Sequence, residues 1–463
     1  MTPTLRLKLA KVNTELMEHQ KRVLERMRDA SGLVVAHGLG TGKTLTSIGV
    51  ADAEGDARAL VPAALVANYA KELEKHTDQK TPVDVGSIQR AVLRGDADPV
   101  KLLIVDEAHR ARETKTKLNQ FLRKYPAEKR LLLTATPVYN RPGDIAALVN
   151  IAAGDKVLPT DSEFKQKYIK EPGKGLLAAM PWATKRPTLM NKKELQKVLQ
   201  KWVDYQDLKG GDFPDRVDER IDVMMSPTQT KLHNFAWEQL PWISRVRLKA
   251  GLPPEKQDLP KLNQFQSQTR QLSGSLKRFQ TDLKAEGLTP KLERALSDLS
   301  SEVSKNKKHK AVVYSNYLDT LRDYSKELEK KKIPHAIFSG KVPKKTRQQA
   351  VEDYNAGKIQ ALLVSSAGGE GLDLKGTRQV QVLEPHWNEE KLEQVIGRAI
   401  RHKSHAHLPA SQRNVKVQRY LTYPRPGLLG RAFGAKPDGV EQVLANMSEQ
   451  KRKLNQELLE LLS

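Results

Sequence analysis

The sequence predicts an α/β protein: two lobes, each on a parallel sheet, with a mostly helical insert between them and a C-terminal helix. Three observations support this. Short apolar runs alternate with helix-compatible stretches in two blocks, 33–137 and 311–423, and strands alternating with helices imply parallel sheets. The 173 residues from 138 to 310 between the blocks are mostly charged and amphipathic, far too many for a simple connection. A chain of 463 residues, 38% hydrophobic and 29% charged, has the length for two or more domains and an ordinary globular composition.

In chain order, ELMEHQKRVLERMRD (15–29) has helical periodicity, and after Ser31-Gly32 the run LVVA (33–36) reads as a buried strand. A glycine-rich turn follows. LVPA (60–63), KLLIVD (101–106) and RLLLTATP (130–137) read as further strands, separated by segments such as ALVANYAKELEKH (64–76). From about 141 to 300 the pattern is helical, interrupted at LKGGDFPD (208–215) and LKAGLPPEKQDLP (248–260). Strands return at AVVYS (311–315), HAIFSG (335–340), ALLVSS (361–366), QVQVLEP (379–385) and KVQRYLTY (416–423). The loop PRPGLLGRAFGAKP (424–437) leads to a helix from about Asp438 to Leu462. Its Val440, Leu444, Met447, Leu454, Leu458 and Leu461 recur at alternating four and three spacing, with Lys451 interrupting. That stripe is expected to pack on its own lobe; a protein partner is the alternative. The basic run SKNKKHK (304–310) reads as a surface linker between lobes. The expected domains are lobe 1 over 1–145, the insert over 146–288, lobe 2 over 289–424, and a loop with a bracing helix over 425–463.

Lys plus Arg number 79 against 55 Asp plus Glu, a net charge of +24, which favours a polyanion, most economically nucleic acid. No window is apolar enough to span a membrane, and MTPTLRLKLAKVN lacks a signal-peptide core. No membrane role is expected, and an intracellular location is. With no cysteine, disulfides and thiolate metal sites are excluded. The 11 histidines show no zinc spacing. Aromatics are 5% of the chain, which favours phosphate contacts over a channel that stacks bases on rings.

HGLGTGKT (37–44) follows the first strand and precedes a helix-compatible run, the context of a phosphate-binding loop. There Gly40, Thr41 and Gly42 bring backbone N–H groups to phosphates at a helix N-terminus, Lys43 reaches the β and γ phosphates, and the Thr44 hydroxyl holds Mg²⁺. The strict pattern has glycine where His37 stands. KLLIVDEAH sets Asp106 and Glu107 at a strand's C-terminal end, where open α/β sheets place ligands. Asp106 is expected to bind Mg²⁺ through water and Glu107 to position or deprotonate the attacking water. Together these describe a nucleoside triphosphatase using Mg²⁺. In QVIGRAIRH (394–402), Gln394, Arg398 and Arg401 stand at i, i+4 and i+7 and share one cationic face if the run is helical.

GTGKT, DEAH (106–109), TATP (134–137), SAGGEGLDL (366–374) and QVIGRAIR (394–401), in that order, resemble superfamily 2 helicases and translocases. LLLTATPVYNRPGDIAALVNI, DEAHRARETKTK and SNYLDTL (315–321) resemble the Swi2/Snf2 branch in particular, as does the long helical insert. The resemblance implies RecA-like lobes with ATP bound on the first. It implies that Arg398 and Arg401, the latter at the arginine-finger position, neutralise charge on the γ-phosphate when the lobes close. Gln394 would sense phosphate or order the lytic water, and Gln20 in MEHQKRV would read adenine. Nucleic-acid contacts fall to Pro62, Arg110, Ser315, Asn316, Ser365, Ser366 and Gly368, while Thr134 and Thr136 couple the lobes. HGLGTGKT, TATP and QVIGRAIRHKSH depart from the usual DEMGLGKT, TGTP and QAIARAHRIGQ. The tail RAIRHKSHAHLPASQRNVKVQRYL looks more like ATPases of bacteriophages and large DNA viruses, placing the protein in a host cytoplasm. The function expected is ATP-dependent translocation on double-stranded DNA. The alternatives are a strand-separating DNA or RNA helicase and a DNA-binding regulator that does not hydrolyse ATP.

Overall fold

A computed structural model describes residues 13–38, 40–77, 83–138, 141–171, 187–206, 213–249, 259–276, 287–365, 374–384, 390–401, 403–426 and 439–462. The chain divides into two compact units, Met1–Leu208 with Gln450–Ser463, and Lys209–Glu449. The first lobe therefore extends well beyond the boundary expected at residue 145.

Unit 1 contains β1 (Gly32–His37), β2 (Ala57–Val61), β3 (Val83–Ser87), β4 (Val100–Val105), β5 (Ala127–Thr134), β6 (Ile169–Lys170), β7 (Thr188–Leu189) and β8 (Val203–Gln206). Six of them form a parallel sheet in the order β3-β2-β4-β5-β1-β8, and β6 and β7 form a small antiparallel pair. Both faces of the large sheet are covered, so its central strands are continuous apolar runs. Along β1 successive residues alternate between two cores: Val34 and Ala36 pack on one side, Leu33 and Val35 on the other. Helix α1 (Glu18–Asp29) covers the second face with Val23, Leu24 and Met27, and α2 (Lys43–Glu54) adds Val50 and Ala51. The first face receives helix Asp144–Ala153, helix Lys192–Trp202, and Leu454 and Leu458 from the C-terminal helix Val440–Leu459. Each such fully buried aliphatic side chain contributes about 2 kcal/mol.

Unit 2 contains β9 (Asp215–Met224), β10 (Ala311–Ser315), β11 (His335–Phe338), β12 (Ala361–Ser365), β13 (Gln379–Val382) and β14 (Asn414–Tyr423), all parallel, in the order β11-β12-β10-β13-β14-β9. The segment 146–288 is thus not only helical, because it supplies an edge strand to each sheet. β9 (DRVDERIDVM) pairs with β14 over ten residues, from Asp215 opposite Asn414 to Met224 opposite Tyr423. Its charges are used laterally: Arg216 donates to Glu393 at 2.6 and 2.9 Å, and Arg419 pairs with Asp218. A charged edge discourages pairing with a further strand.

SKNKKHK does not link lobes. Helix Pro290–Lys305 belongs to the unit 2 core through Leu292, Leu296 and Leu299, and Lys310 is buried with its ammonium 5.0 Å from the Tyr354 ring centre. Val440 and Leu444 of the C-terminal helix pack on Leu240, Leu262 and Phe265. Intramolecular packing therefore accounts for these stripe residues. Among the described residues no helix is long and apolar enough to cross a membrane.

Candidate active site

β1 ends at His37, and α2 begins at Lys43. Between them the chain must turn tightly: Gly40 has φ +82° and Gly42 φ +76°, conformations that disfavour side chains. A Cβ on Gly42 would also lie 2.6 Å from Nε2 of Gln20. Thr41 is buried and its hydroxyl donates to the Gly38 carbonyl at 2.9 Å. The Lys43 ammonium donates to the carbonyls of His37 and Gly38, both at 2.9 Å. Lys43 and Thr44 are half-buried at the helix start, where first-turn N–H groups and the helix dipole favour an anion.

Gln20, expected to read adenine, is 2% exposed. Its oxygen accepts the Met17 N–H at 2.9 Å, and its Nε2 donates to the carbonyls of Thr41 (3.3 Å) and Gly42 (3.2 Å). In this structure its amide holds the turn at Thr41 and Gly42.

Asp106 follows β4, and its N–H extends the pairing by bonding Leu60 O at 3.0 Å. Its carboxylate accepts the Glu107 N–H at 2.9 Å. Burial first, and then the adjacent Glu107 charge, push the Asp106 carboxyl up to about 6. Glu107 sits at φ +51°, a sparsely populated region for a side-chain-bearing residue and one that clusters at functional sites. His109 Nδ1 lies 3.2 Å from the Glu107 carboxylate and 3.5 Å from the Thr134 hydroxyl, which accepts the Thr136 N–H at 3.0 Å. Arg110 is exposed. Pro62, by contrast, is buried with its carbonyl bonded to Leu65 N–H at 2.7 Å, while Ala63 and Ala64 are the exposed residues there.

In unit 2 the helix carrying the arginines runs Glu390–Ala399. Arg398 is on it, but Arg401 is not, so the shared helical face predicted at i+7 does not exist. Ser404 ends the helical path: its hydroxyl accepts the Arg401 N–H at 3.2 Å and lies 2.8 Å from the Arg401 carbonyl, a local alternative to the next helical turn. Gln394 lies on this helix, but its side chain is outside the described residues. Ser315 is fully buried, its hydroxyl 3.1 Å from Glu384 Oε1, and Ser365 is also buried; neither side chain is presented for contact. Asn316 is half-buried, with its N–H donating to Glu384 at 3.0 Å and its amide oxygen accepting from the Tyr314 hydroxyl at 3.1 Å. Its Nδ2 lacks a protein partner in a pocket shared with Thr320, Arg322 and Lys341. Ser366 and Gly368 lie outside the described residues.

Two family models match the chain, the SNF2-related domain over residues 88–284 and the helicase conserved C-terminal domain over residues 292–403. A putative ATP-dependent RNA helicase of Acanthamoeba polyphaga mimivirus is 32% identical over 429 residues, covering 88% of this chain and 89% of the relative. The chain belongs to the SNF2-related helicases of superfamily 2. An ATP-dependent helicase of Bacillus subtilis is 25% identical, covering 82% of this chain and 71% of its own. A human DNA repair and recombination protein, RAD54-like, is 23% identical over 65% of this chain and 43% of its own. As a member of this family the protein is an ATP-dependent enzyme of the helicase class.

Several residues of this SNF2-related site escape sequence reading. His109 is visible in DEAH, but its contact to Thr134 joins that segment to the end of β5, 25 positions later. His37, read as a departure from the glycine pattern, is fully buried with Nε2 2.7 Å from Asp204 of β8. Asp204 carried no local signal at all.

Proposed function

We propose that the protein is an ATP-driven translocase on double-stranded DNA. One observation carries the ATPase half: the phosphate loop after β1 and the acids after β4 stand at strand ends of the same parallel sheet, where such sheets bind ligands. The loop N–H groups and Lys43 bind the triphosphate. Thr44 and Asp106 suit Mg²⁺, being oxygen donors of which one is a carboxylate whose charge is opposed by burial and by Glu107. Held there with ATP, Mg²⁺ would supply charge neutralisation at the phosphates. Glu107 orients or deprotonates the attacking water, with His109 holding its carboxylate. By the family resemblance alone, Arg398 and Arg401 are the candidates for charge at the γ-phosphate and Gln394 the candidate for the water.

The choice of duplex DNA rests on the SNF2-related match, on a relative named for DNA repair and recombination, and on the net charge of +24. Phosphate contacts of this kind ignore sequence and weaken steeply with salt. Exposed Arg110 and the pocket of Asn316, Arg322 and Lys341, at the start of helix Leu318–Lys330, are suited to them. Strand separation is the second reading, because the mimivirus relative is named an RNA helicase. Triplex displacement separates the two. A translocase strips a third strand from duplex DNA with ATP while leaving the duplex paired. Unwinding of a tailed duplex without triplex displacement would select the helicase.

A further inference from the structure

The loop that meets phosphate is anchored from one side by a residue far away in sequence. Asp204 of β8 is 1% exposed. Its Oδ1 accepts from His37 Nε2 at 2.7 Å and from Arg22 at 2.7 Å, and its Oδ2 accepts from Arg22 at 2.9 Å and Arg26 at 3.0 Å. Arg26 also donates to the carbonyls of Gln200 (2.8 Å), Lys201 (3.1 Å) and Val203 (2.8 Å), and so caps the helix that leads into β8. β8 pairs with β1 in register, His37 opposite Gln206, and the Gly38 N–H bonds Gln206 O at 3.0 Å.

The same helix that carries Arg22 and Arg26 carries two further loop contacts. His19 Nε2 lies 2.9 Å from the Thr41 carbonyl, and its ring stands edge-on to that of His37 at 5.3 Å. Gln20 bonds the carbonyls of Thr41 and Gly42. Asp204 therefore fixes both supports of the loop at once, the end of β1 through His37 and the α1 helix through its two arginines. The histidine has a cost: its Nδ1 is buried with no hydrogen-bond partner, which the glycine of the usual pattern would avoid. Burial holds the imidazole below its ordinary value, so it is the neutral ring that donates Nε2–H to the carboxylate.

We propose that His37 and Asp204 are positioning residues for the phosphate loop, setting ATP affinity from the β8 strand without touching the reacting atoms. This rests on the reading of Lys43 and its loop as the ATP site. The test measures KM and kcat for ATP, with the melting temperature as folding control, for the wild type, Lys43→Ala, His37→Gly, His37→Gln and Asp204→Asn. His37→Gly leaves Asp204 paired with both arginines and the β1–β8 backbone pairing in place yet removes the side-chain tie to β1, and is expected to raise KM about tenfold with a much smaller change in kcat. His37→Gln, whose amide can again donate to Asp204, restores most of that loss. Asp204→Asn shifts KM in the same direction and also lowers the melting temperature, because Arg22 and Arg26 lose their carboxylate. A folded His37→Gly with KM within about twofold of wild type, or a His37→Gln no better than His37→Gly, overturns the proposal. Unchanged hydrolysis by Lys43→Ala overturns the site reading itself, and so distinguishes the two failures.

Discussion

At the end of β4 the acids Asp106 and Glu107 stand half-buried, and the Asp106 carboxyl is pushed up by burial and by its neighbour's charge. At the end of β13, in the other unit, Glu384 is wholly buried and accepts from the Ser315 hydroxyl and the Asn316 N–H at 3.1 and 3.0 Å. Beneath it, Lys291 donates to Glu441 at 2.7 Å, to the Leu383 carbonyl at 2.7 Å and to the Ser273 hydroxyl at 2.9 Å, while Glu441 accepts the Thr422 N–H at 2.7 Å. Two sheets of the same size and strand sense thus use their C-terminal ends differently. The first keeps its carboxylates half-buried with contacts from Glu107 N–H and His109, which under the proposed function suits a cation and water; the second buries its acid wholly among protein donors. The difference shows why an acid at a strand end is not by itself a catalytic signal: its hydrogen-bond partners decide.

The strongest way to break this contrast is to remove the cation of the poised site. Lys43→Ala is expected to lower ATP turnover by about 10³-fold, within the span typical of lost transition-state charge stabilisation, in steady-state hydrolysis with the melting temperature unchanged. In the locked end the corresponding loss is one of stability. Lys291→Met leaves Glu441 buried and unpaired, and urea unfolding should show about 3–5 kcal/mol of destabilisation. Lys291→Met with Glu441→Leu should recover part of it, the remainder reflecting the Thr422 N–H left without its acceptor.

A pH series sharpens the contrast further. Burial is the largest cause raising the Glu384 carboxyl, from 4.5 to about 7. Between those values the folded chain keeps a proton that the unfolded chain has released, so this group's contribution is fully present below pH 4.5 and is lost as pH rises through about 7. The total is about 3 kcal/mol. Glu384→Gln should flatten that slope in urea unfolding followed from pH 5 to 8. Lys291 and Glu441, the charged groups facing it, act in opposite directions on this carboxyl. The smallest effect is expected from Gln20→Ala, which removes one donor from each of the Thr41 and Gly42 carbonyls while His19 and Thr46 remain on them: about 1 kcal/mol, read as a KM for ATP raised about fivefold.

What was legible in the sequence was local. HGLGTGKT and KLLIVDEAH each place their chemistry within a few residues of an apolar strand, and β1, β4 and β10 lie where their runs of valine, leucine and isoleucine predict. What was missed depends on distant partners. β8 is four residues long and β9 is more than half charged; both are edge strands, specified by the sheet each joins rather than by their own pattern. Arg401 left the helical face because Ser404, three residues on, bonds its backbone. The buried state of Ser315 depends on Glu384, 69 positions later, and that of His37 on Asp204, 167 positions later. No spacing within a motif carries such information.

Under the proposed function, ATP is hydrolysed at Glu107 in response to duplex DNA. The most direct test is steady-state ATP hydrolysis at one low salt concentration by the wild type and Glu107→Gln, each with no nucleic acid, duplex DNA, single-stranded DNA or duplex RNA. Strong stimulation of the wild type by duplex DNA and a loss of about 10²–10⁴-fold in Glu107→Gln are expected. Stimulation by single strands or RNA in place of duplex DNA, or turnover by Glu107→Gln equal to that of the wild type, would contradict that function.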